Sequence, residues 1–279
     1  MKGYINKIIE NSFIDGPGNR MAIFLQGCNM GCLYCHNPET QRMCINCGRC
    51  LEVCSQGALS IKEGKINYNK QKCIGCDRCL EVCSEFSSPK YFEMQSDELV
   101  KIILDNEIFL DGITFSGGEC TLQTDFIVDV VEKVKQKSNL TAFIDTNGLI
   151  NENDLNRLIS CVDGFMMDVK AIDDNTHRFL TGVSNETVLK NLKLLAKTDL
   201  LYEVRYVLVE GYNDSVEQVK YLAELIKNLN DYTRLVLIPF RPLGVKTYFK
   251  NLPLYNRQKY DIIYDEIYKV LKDRAIKKD

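Results

Sequence analysis

The chain has no tryptophan, only two histidines and no large excess of charge of either sign. Its 35 basic and 38 acidic side chains give a formal net charge of −3, which argues against a general nucleic-acid binder. Two histidines are too few for a histidine-rich metal centre. No apolar run approaches the roughly 18 residues of a membrane span, and the start lacks the apolar segment of a secretion signal. We therefore expect a cytoplasmic protein without a membrane partner.

Cysteine is the residue type that is unusually abundant. Eleven of the 13 cysteines lie between Cys28 and Cys83. In a reducing cytoplasm, such crowding favours metal ligation over disulfide formation. The two cysteines outside this region, Cys120 and Cys161, stand alone and are interpreted as free structural thiols. His177 is interpreted as a helix residue on the surface.

A twelve-residue segment within this region occurs twice, 29 residues apart. CINCGRCLEVCS at 44–55 and CIGCDRCLEVCS at 73–84 agree at ten of twelve positions and share the spacing C-x2-C-x2-C-x3-C. In bacterial two-cluster ferredoxins, this spacing gives three ligands to one [4Fe–4S] cluster and the fourth to the other. A pair of zinc sites is the alternative. The predicted ligand sets are Cys44, Cys47, Cys50 and Cys83, and Cys73, Cys76, Cys79 and Cys54.

Outside the repeat, strand-like apolar runs alternate with segments of helical periodicity, which predicts an α/β protein with a parallel sheet. The predicted strands are 21–26, 112–115, 140–144, 162–169, 202–209 and 234–240. The predicted helices are 97–106, 121–137, 152–160, 184–197, 215–229 and 256–275. Six strands favour a partial (β/α)6 TIM-like barrel over an open doubly wound sheet. We expect the barrel at 1–40 and 93–279, with a ferredoxin-like module of two clusters inserted at 41–92.

Three further cysteines follow the first predicted strand of the barrel. Cys28, Cys32 and Cys35 have the spacing C-x3-C-x2-C, so they supply three ligands to a four-iron cluster and leave one iron open. An open metal position is typical of a catalytic site. Taken alone, these cysteines could also be ferredoxin-like or zinc ligands.

Polar or glycine-rich motifs follow three other predicted strands: SGGE at 116–119, DTNG at 145–148 and DVK at 168–170. Because ligands of parallel βα folds bind beyond the carboxyl ends of the strands, we expect these motifs to converge on one rim with the cysteine loop. Glycine backbone, Glu119 and Asp168 could receive an ammonium group, and Lys170 a carboxylate. This combination suits a ligand that carries an amino acid.

Together the motifs resemble the radical S-adenosylmethionine (SAM) superfamily and, within it, the glycyl-radical enzyme activating enzymes. The resemblance rests on SFIDGPGNR at 12–20, FLQGCNMGCLYCHNPET at 24–40, and the SGGE, DTNG and DVK motifs in that order. It extends over about 1–245. The cysteine repeat is similar to the branch of the family that carries two additional clusters.

The resemblance implies SAM and three [4Fe–4S] clusters, with the open iron at Cys28, Cys32 and Cys35 chelated by the amino and carboxylate groups of SAM. It implies that Asp15 and Arg205 face the glycine loop of a partner protein. Arg241 stands where related enzymes often have a histidine that contacts the ribose. The implied residues around SAM are Tyr34, His36, Gly117, Gly118, Glu119, Asp145, Thr146, Met166, Asp168, Lys170 and Arg241.

The expected function is the activation of a partner glycyl-radical enzyme. Reductive cleavage of SAM gives a 5′-deoxyadenosyl radical, which removes a Cα hydrogen from one glycine of the partner. The two inserted clusters are interpreted as a relay from a flavodoxin- or ferredoxin-like electron donor, or else as support for a partner-binding surface. Two alternatives stay open: a radical SAM enzyme acting on a small molecule or a different peptide, and a non-catalytic iron–sulfur electron carrier.

Overall fold

The computed structural model describes residues 1–278. Its strands are β1 (Lys2–Ser12), β2 (Arg20–Leu25), β3 (Leu59–Lys62), β4 (Lys65–Tyr68), β5 (Phe92–Gln95), β6 (Gly112–Gly117), β7 (Thr141–Thr146), β8 (Gly164–Asp168), β9 (Leu201–Leu208), β10 (Arg234–Pro239) and β11 (Ala275–Lys277). Its helices are α1 (Arg78–Glu81), α2 (Ser96–Asp105), α3 (Thr124–Lys135), α4 (Glu152–Ile159), α5 (Asp174–Thr181), α6 (Glu186–Leu195), α7 (Val216–Leu229) and α8 (Arg257–Leu271). Within these residues, no helix has both the length and the apolar character needed to cross a membrane.

Nine strands form one sheet in the order β11-β10-β9-β8-β7-β6-β2-β1-β5. The neighbours from β2 through β11 are parallel, whereas β1 pairs antiparallel with both β2 and β5 at one edge. The six predicted strands are adjacent to one another and follow chain order. This confirms the predicted α/β class with a mostly parallel sheet.

Alternate residues of the parallel strands face the helices. Phe115 on β6 and Met167 on β8 lie in one buried apolar cluster with Phe126 of α3, Leu192 of α6 and Ile263 of α8. The residues between them point to the opposite face, which we call the inner face. Its side chains that line a cavity are Ser116, Asp145, Asp168, Arg205, Val207 and Ile238. The two-residue period of the strands therefore separates the apolar core from a polar inner face.

Several elements differ from the prediction. β1, β5, β11 and α5 were not predicted. β1 lies next to the edge strand β5 and carries exposed polar residues such as Lys2 and Glu10, which weakens its apolar signal. The helix predicted at 121–137 begins at Thr124, because 120–123 form a 3-10 turn. The helix predicted at 256–275 ends at Leu271, where Lys272 takes a φ of +54° and the chain turns back to pair β11 with β10.

The segment at 41–92 contains the antiparallel hairpin β3–β4 and the four-residue helix α1. Near its two ends the chain closes on itself, because the Arg42 N–H donates to the Phe86 carbonyl at 3.1 Å and Arg42 forms a parallel bridge with Ser87. The segment thus leaves and rejoins the main sheet at nearly the same place.

Arg20, at the start of β2, is a fully buried side chain on the inner face. Its guanidinium donates to the Thr114 hydroxyl at 2.7 Å and the Thr141 hydroxyl at 2.9 Å. It also donates to the carbonyls of Pro17, Ile113 and Thr141 at 2.6–3.2 Å. Burial lowers the pKa of Arg20 to about 10. This side chain ties the loop before β2 to β6 and β7.

Replacing Arg20 with methionine should lower the free energy of unfolding by about 2–4 kcal/mol, because the buried hydroxyls and carbonyls lose their donor. Guanidinium unfolding followed by circular dichroism under anaerobic conditions measures the change. Arg178→Met is the control, since Arg178 is an exposed helix residue paired with Asp174. Equal losses in the two variants would show that Arg20 does not anchor the loop.

Candidate active site

The loop that carries Cys28, Cys32 and Cys35 follows β2 and is held by backbone hydrogen bonds at both ends. The N–H groups of Gly27 and Cys28 donate to the carbonyls of Thr40 and Gln41, each at 2.8 Å. Further along the loop, the N–H groups of Gly31 and Leu33 donate to the last turn of α5, each at 2.9 Å. The loop is therefore fixed on the molecule before any ligand binds.

Burial dominates the acidity of these cysteines. It raises the pKa of Cys28 and of Cys32 to about 12, and it also raises the pKa of Cys35. Thiols ligate metal as thiolates, so a cationic cluster has to offset this effect when it binds. Within residues 1–278, no three or more His, Cys, Asp or Glu side chains are arranged so that together they could hold a metal ion.

A cavity of about 280 Å³ opens at the carboxyl ends of the parallel strands, beside the cysteine loop. The predicted residues that line it are Cys28, Cys32, Tyr34, Cys35, His36, Gly117, Gly118, Asp145, Thr146, Asp168, Lys170 and Arg205. The predicted convergence of the motifs on one rim is therefore observed. The cavity combines thiols, glycine backbone, carboxylates and two cations.

Gly117 and Gly118 are required by the close approach of two backbones. Gly117 has a φ of +126°, and a Cβ there would lie 2.2 Å from the Leu25 carbonyl oxygen. A Cβ on Gly118 would lie 2.2 Å from the Gly27 carbonyl oxygen and 2.6 Å from that of Thr40. The turn after β6 thus packs directly on the cysteine loop, and a side chain at either position would push the two apart.

Glu119 lies beneath the cavity instead of on its surface. Its carboxylate is fully buried and accepts hydrogen bonds from the Thr121 N–H and hydroxyl, the Thr146 hydroxyl at 2.8 Å and the Asn147 N–H at 2.7 Å. Burial raises the pKa of Glu119, and these donors oppose that shift. Glu119 therefore joins the loops after β6 and β7, and its contact with a ligand ammonium stays a prediction.

The side of the cavity toward the sheet is charged. Arg205 donates to Glu203 at 2.6 Å and lies 3.2 Å from an Asp145 carboxylate oxygen. Burial raises the pKa of Asp145, an effect that Arg205 opposes. Lys170 pairs with Asp168 at 2.5 Å; burial lowers the pKa of Lys170, but Asp168, Tyr34 and Cys32 together outweigh this and hold it well above its usual value. Both cations stay charged at neutral pH.

The opposite side of the cavity is aromatic. The Tyr34 hydroxyl is buried there and has no hydrogen-bond partner within the described chain. The His36 ring is roughly parallel to Phe240, with centroids 6.0 Å apart, and its Nε2 lies 2.7 Å from the Arg241 carbonyl oxygen. This side of the cavity therefore presents aromatic rings to a ligand, whereas the Tyr34 hydroxyl is closed off from it.

Besides Glu119, three predicted site residues lie outside the lining of the cavity, as far as residues 1–278 show. Met166 is buried, and its sulfur lies 3.0 Å from Arg205. Arg241 is exposed and meets His36 through its carbonyl. Asp15 lies in the loop before β2, at the opposite ends of the strands, where it accepts a hydrogen bond from Ser12.

Sequence reasoning misses other residues of the lining, among them Gln41 and Asn147. Asn147 stands inside the DTNG motif, and its Nδ2 donates to Asn29 at 2.9 Å, so the motif itself was the available signal. Gln41 closes the cysteine loop through its backbone carbonyl. Such a backbone contact leaves no residue-type signature.

The prediction that His177 lies on the surface is wrong. His177 is fully buried on α5, its Nδ1 lies 2.8 Å from the Val183 carbonyl oxygen, and the Thr181 hydroxyl donates to the His177 carbonyl at 2.7 Å. The reason is that α5 packs against the cysteine loop, whose Gly31 and Leu33 bond to its last carbonyls. His177 thus supports that contact from within the helix.

The cysteines of the repeat line two further cavities. One is lined by Cys44, Cys47, Cys50 and Cys83 together with Cys79, and the other by Cys54, Cys73, Cys76 and Cys79. Each predicted set of four thus borders one cavity.

The two copies of the repeat also share backbone geometry. Asn46 and Gly75, 29 residues apart, both have positive φ, 58° and 70°. The N–H of each lies 3.4 Å from the sulfur of the cysteine two residues earlier, Cys44 or Cys73. Met30 and Cys28 repeat that N–H···S contact at 3.4 Å. All three cysteine runs therefore begin with the same N–H···S contact, and the two copies of the repeat also share the positive φ.

Comparison with known families matches residues 22–226 to the radical SAM superfamily. The chain therefore belongs to this superfamily, whose members use SAM and a [4Fe–4S] cluster. Its relatives define the class more narrowly as the activating enzymes of glycyl-radical enzymes. The chain is an enzyme of this class, which rules out the alternative of a non-catalytic electron carrier.

Two relatives illustrate the similarity. The trans-4-hydroxy-L-proline dehydratase activating enzyme of Clostridioides difficile is 36% identical over 271 residues, covering 91% of this chain and 85% of that protein. The choline trimethylamine-lyase activating enzyme of Oleidesulfovibrio alaskensis is 32% identical over 268 residues, covering 88% and 86%. Among solved structures, SuiB of Streptococcus suis bound to its precursor peptide SuiA gives a TM-score of 0.55 at 13% identity, covering 91% of this chain and 47% of that one. That likeness shows the shared fold alone.

Gly118→Ala should displace the cysteine loop, since the added Cβ meets two backbone oxygens. We expect the purified variant to contain less iron than the wild type and to bind SAM at least tenfold more weakly, because small displacements of a site cost such factors. Iron analysis and equilibrium binding of SAM measure both effects. Gly31→Ala is the matched control on the same loop, because its Cβ would have 3.9 Å of clearance. Normal iron and SAM binding in Gly118→Ala would contradict the packing argument.

Proposed function

We propose that this enzyme generates a radical on one glycine of a partner glycyl-radical enzyme. When a reduced [4Fe–4S] cluster is bound at Cys28, Cys32 and Cys35, it supplies the electron that cleaves SAM to methionine and a 5′-deoxyadenosyl radical, which takes the glycine Cα hydrogen. The observation that carries the proposal is that three cysteines, and no fourth among the described lining residues, border a cavity with amino-acid-binding groups.

The residues of the cavity fit the amino-acid end of SAM. Asp168 and the backbone of Gly117 and Gly118 would hold the ammonium, and Lys170 the carboxylate. Glu119 would support this cradle from below, because its carboxylate accepts hydrogen bonds from Asn147 and from Thr121 in the turn after β6. A rigid cradle of this kind orients a ligand before the reaction and keeps water from the reacting atoms.

The aromatic side fits the adenosine end. Tyr34 and His36 line it, and their rings offer apolar surface against which an adenine would pack. Arg241 is exposed beside His36, so a contact with the ribose would require its side chain to fold over the cavity. Met166 supports Arg205 from below and shapes the cavity without forming its surface.

The partner's glycine would approach from the inner face of the sheet. Arg205 borders the cavity on that side, and Asp15 lies farther down, toward the other ends of the strands. The two related enzymes named above are activating enzymes of other proteins. We extend that role to this chain, with a protein glycine as the substrate.

We further propose two additional [4Fe–4S] clusters in the segment at 41–92. The cavities bordered by the two cysteine sets and the repeated N–H···S turns support this assignment. The first set lies close to the active site, because Cys44 follows Gln41 by three residues, a reach of at most about 11 Å. Gln41 in turn bonds to Cys28.

The loop after β10 joins the two regions. Lys246 donates to the Leu80 carbonyl of the inserted segment, and Thr247 donates to the Leu33 carbonyl of the cysteine loop. Gly244 approaches the His36 carbonyl so closely that a Cβ there would lie 2.5 Å from it. These contacts support an electron relay from a flavodoxin- or ferredoxin-like donor through the inserted segment to the active site.

The activation is tested by mixing the reconstituted enzyme anaerobically with SAM, a reductant and candidate glycyl-radical enzymes. We expect one candidate to acquire a glycine-centred doublet in electron paramagnetic resonance, with one 5′-deoxyadenosine formed per radical. Consumption of SAM without a radical in any candidate would favour a radical SAM enzyme that acts on a small molecule or a different peptide.

Cysteine substitutions separate the proposed clusters. Wild type should bind about twelve irons, and both Cys28→Ala and Cys76→Ala about eight, as three clusters of four predict. Cys28→Ala should abolish SAM cleavage with dithionite, whereas Cys76→Ala should retain it and lose rate only with a protein donor. Cys161→Ala is the control, since Cys161 lies outside both regions. Four irons in wild type would refute the two added clusters and leave the activation untouched.

A further inference from the structure

Arg234, at the start of β10, lies on the inner face and is fixed on two sides. Its Nη2 donates to a Glu203 carboxylate oxygen at 3.2 Å. Its guanidinium carbon lies 4.1 Å from the centroid of the Tyr202 ring, over its face. An ion pair and a cation–π contact together hold the planar guanidinium in one orientation.

This fixed guanidinium still has unused donors. The Arg234 Nε is buried and has no hydrogen-bond partner within residues 1–278. That nitrogen is closed to solvent, but about a third of the side chain, 34%, is exposed, and within the same residues Nη1 makes no hydrogen bond. Nη1 is therefore the donor that a ligand could reach from the inner face. A ligand that supplies an acceptor there would pair a donor that the fold leaves free.

Glu203 connects Arg234 to the active site. Its other carboxylate oxygen accepts from the Arg205 Nε at 2.6 Å, so one carboxylate orients two guanidinium groups. Arg234 is in register with Glu203, which precedes Arg205 by two residues on β9. The two arginines are therefore one pleat apart along the strands, about 7 Å. Arg205 borders the cavity, and Arg234 lies on the side of it toward the strand amino ends.

That spacing matches an extended peptide. Carbonyl groups on one side of an extended chain recur every second residue, also about 7 Å apart. A segment around a glycine presents no side chain at the reacting position, so backbone carbonyls are what a protein can grip there. Arginine donors suit such acceptors, and their fixed orientation reduces the entropy lost on binding.

We propose that Arg234 and Arg205 form a pair of donors that holds the backbone of the partner's glycine loop in an extended conformation, with Glu203 as the positioning residue for both. This rests on the function proposed above. Arg205 would hold the carbonyl nearest the target glycine, and Arg234 the carbonyl two residues away. The pair would recognise the backbone conformation of the partner's loop and not the identity of its side chains.

The test uses a synthetic peptide centred on the target glycine of the glycyl-radical enzyme found in the radical assay. Arg234→Met should raise the KM for this peptide about tenfold or more, as loss of a charge-assisted hydrogen bond predicts, with kcat within about twofold. Peptide-dependent formation of 5′-deoxyadenosine measures both. The control is Arg157→Met, because Arg157 has a similarly exposed side chain, 38%, and ion pairs, but lies on α4 outside the inner face. An unchanged KM in Arg234→Met would overturn the proposal.

A second peptide isolates the hydrogen bond itself. Replacing the amide two residues from the glycine with an ester weakens its carbonyl as an acceptor. This change should raise the KM for the wild type and for Arg157→Met, and should cause no further rise in the KM of Arg234→Met. Additive losses, or a fall in iron content or SAM binding in Arg234→Met, would show a structural role and overturn the proposal. The glycine doublet formed by the wild type tests the proposed activation, and none of these outcomes changes its interpretation.

Discussion

The structure depends on how closely the turn after β6 approaches the loop after β2. Gly117 and Gly118 bring two backbones into contact where no side chain fits, and the N–H groups of Gly118 and Glu119 donate to the Leu25 and Gly27 carbonyls at 3.0 and 2.7 Å. This contact sets the height of Cys28 above the sheet. A cofactor bound at Cys28, as proposed above, would take its position from this packing.

Around that contact, charge is distributed in layers. Glu119 is buried beneath the cavity with four donors, and Asp145 and Arg205 form the next layer toward its surface. Such a stack is stable because each buried charge has a partner, although the pairing contributes more to geometry than to net stability. The arrangement explains how a polar cavity persists at the carboxyl ends of a buried parallel sheet.

Much of this organisation was predictable from sequence. The alternation of strands and helices predicted the α/β class, and cysteine spacing located both the loop that borders the cavity and the repeated segment. The motif at 116–119 was located correctly, yet Glu119 is buried beneath the cavity, because groups from the two loops after β6 and β7 donate to its carboxylate. His177 was misplaced for a similar reason: α5 was not predicted, so nothing indicated that its inner side meets the cysteine loop. Contacts between loops distant in sequence leave no local periodicity to read.

The closure of the inserted segment at Arg42 and Ser87 has a consequence for engineering. A short linker between these two residues would bridge a gap that is already hydrogen-bonded, so the stretch between them is removable in principle without stretching the main sheet. The cut has to fall after Gln41, whose carbonyl holds Cys28. A single peptide group, the one that contains the Gln41 carbonyl, thus marks the boundary of the catalytic unit. A truncation one or two residues earlier would remove the carbonyls that hold the cysteine loop together with the insertion.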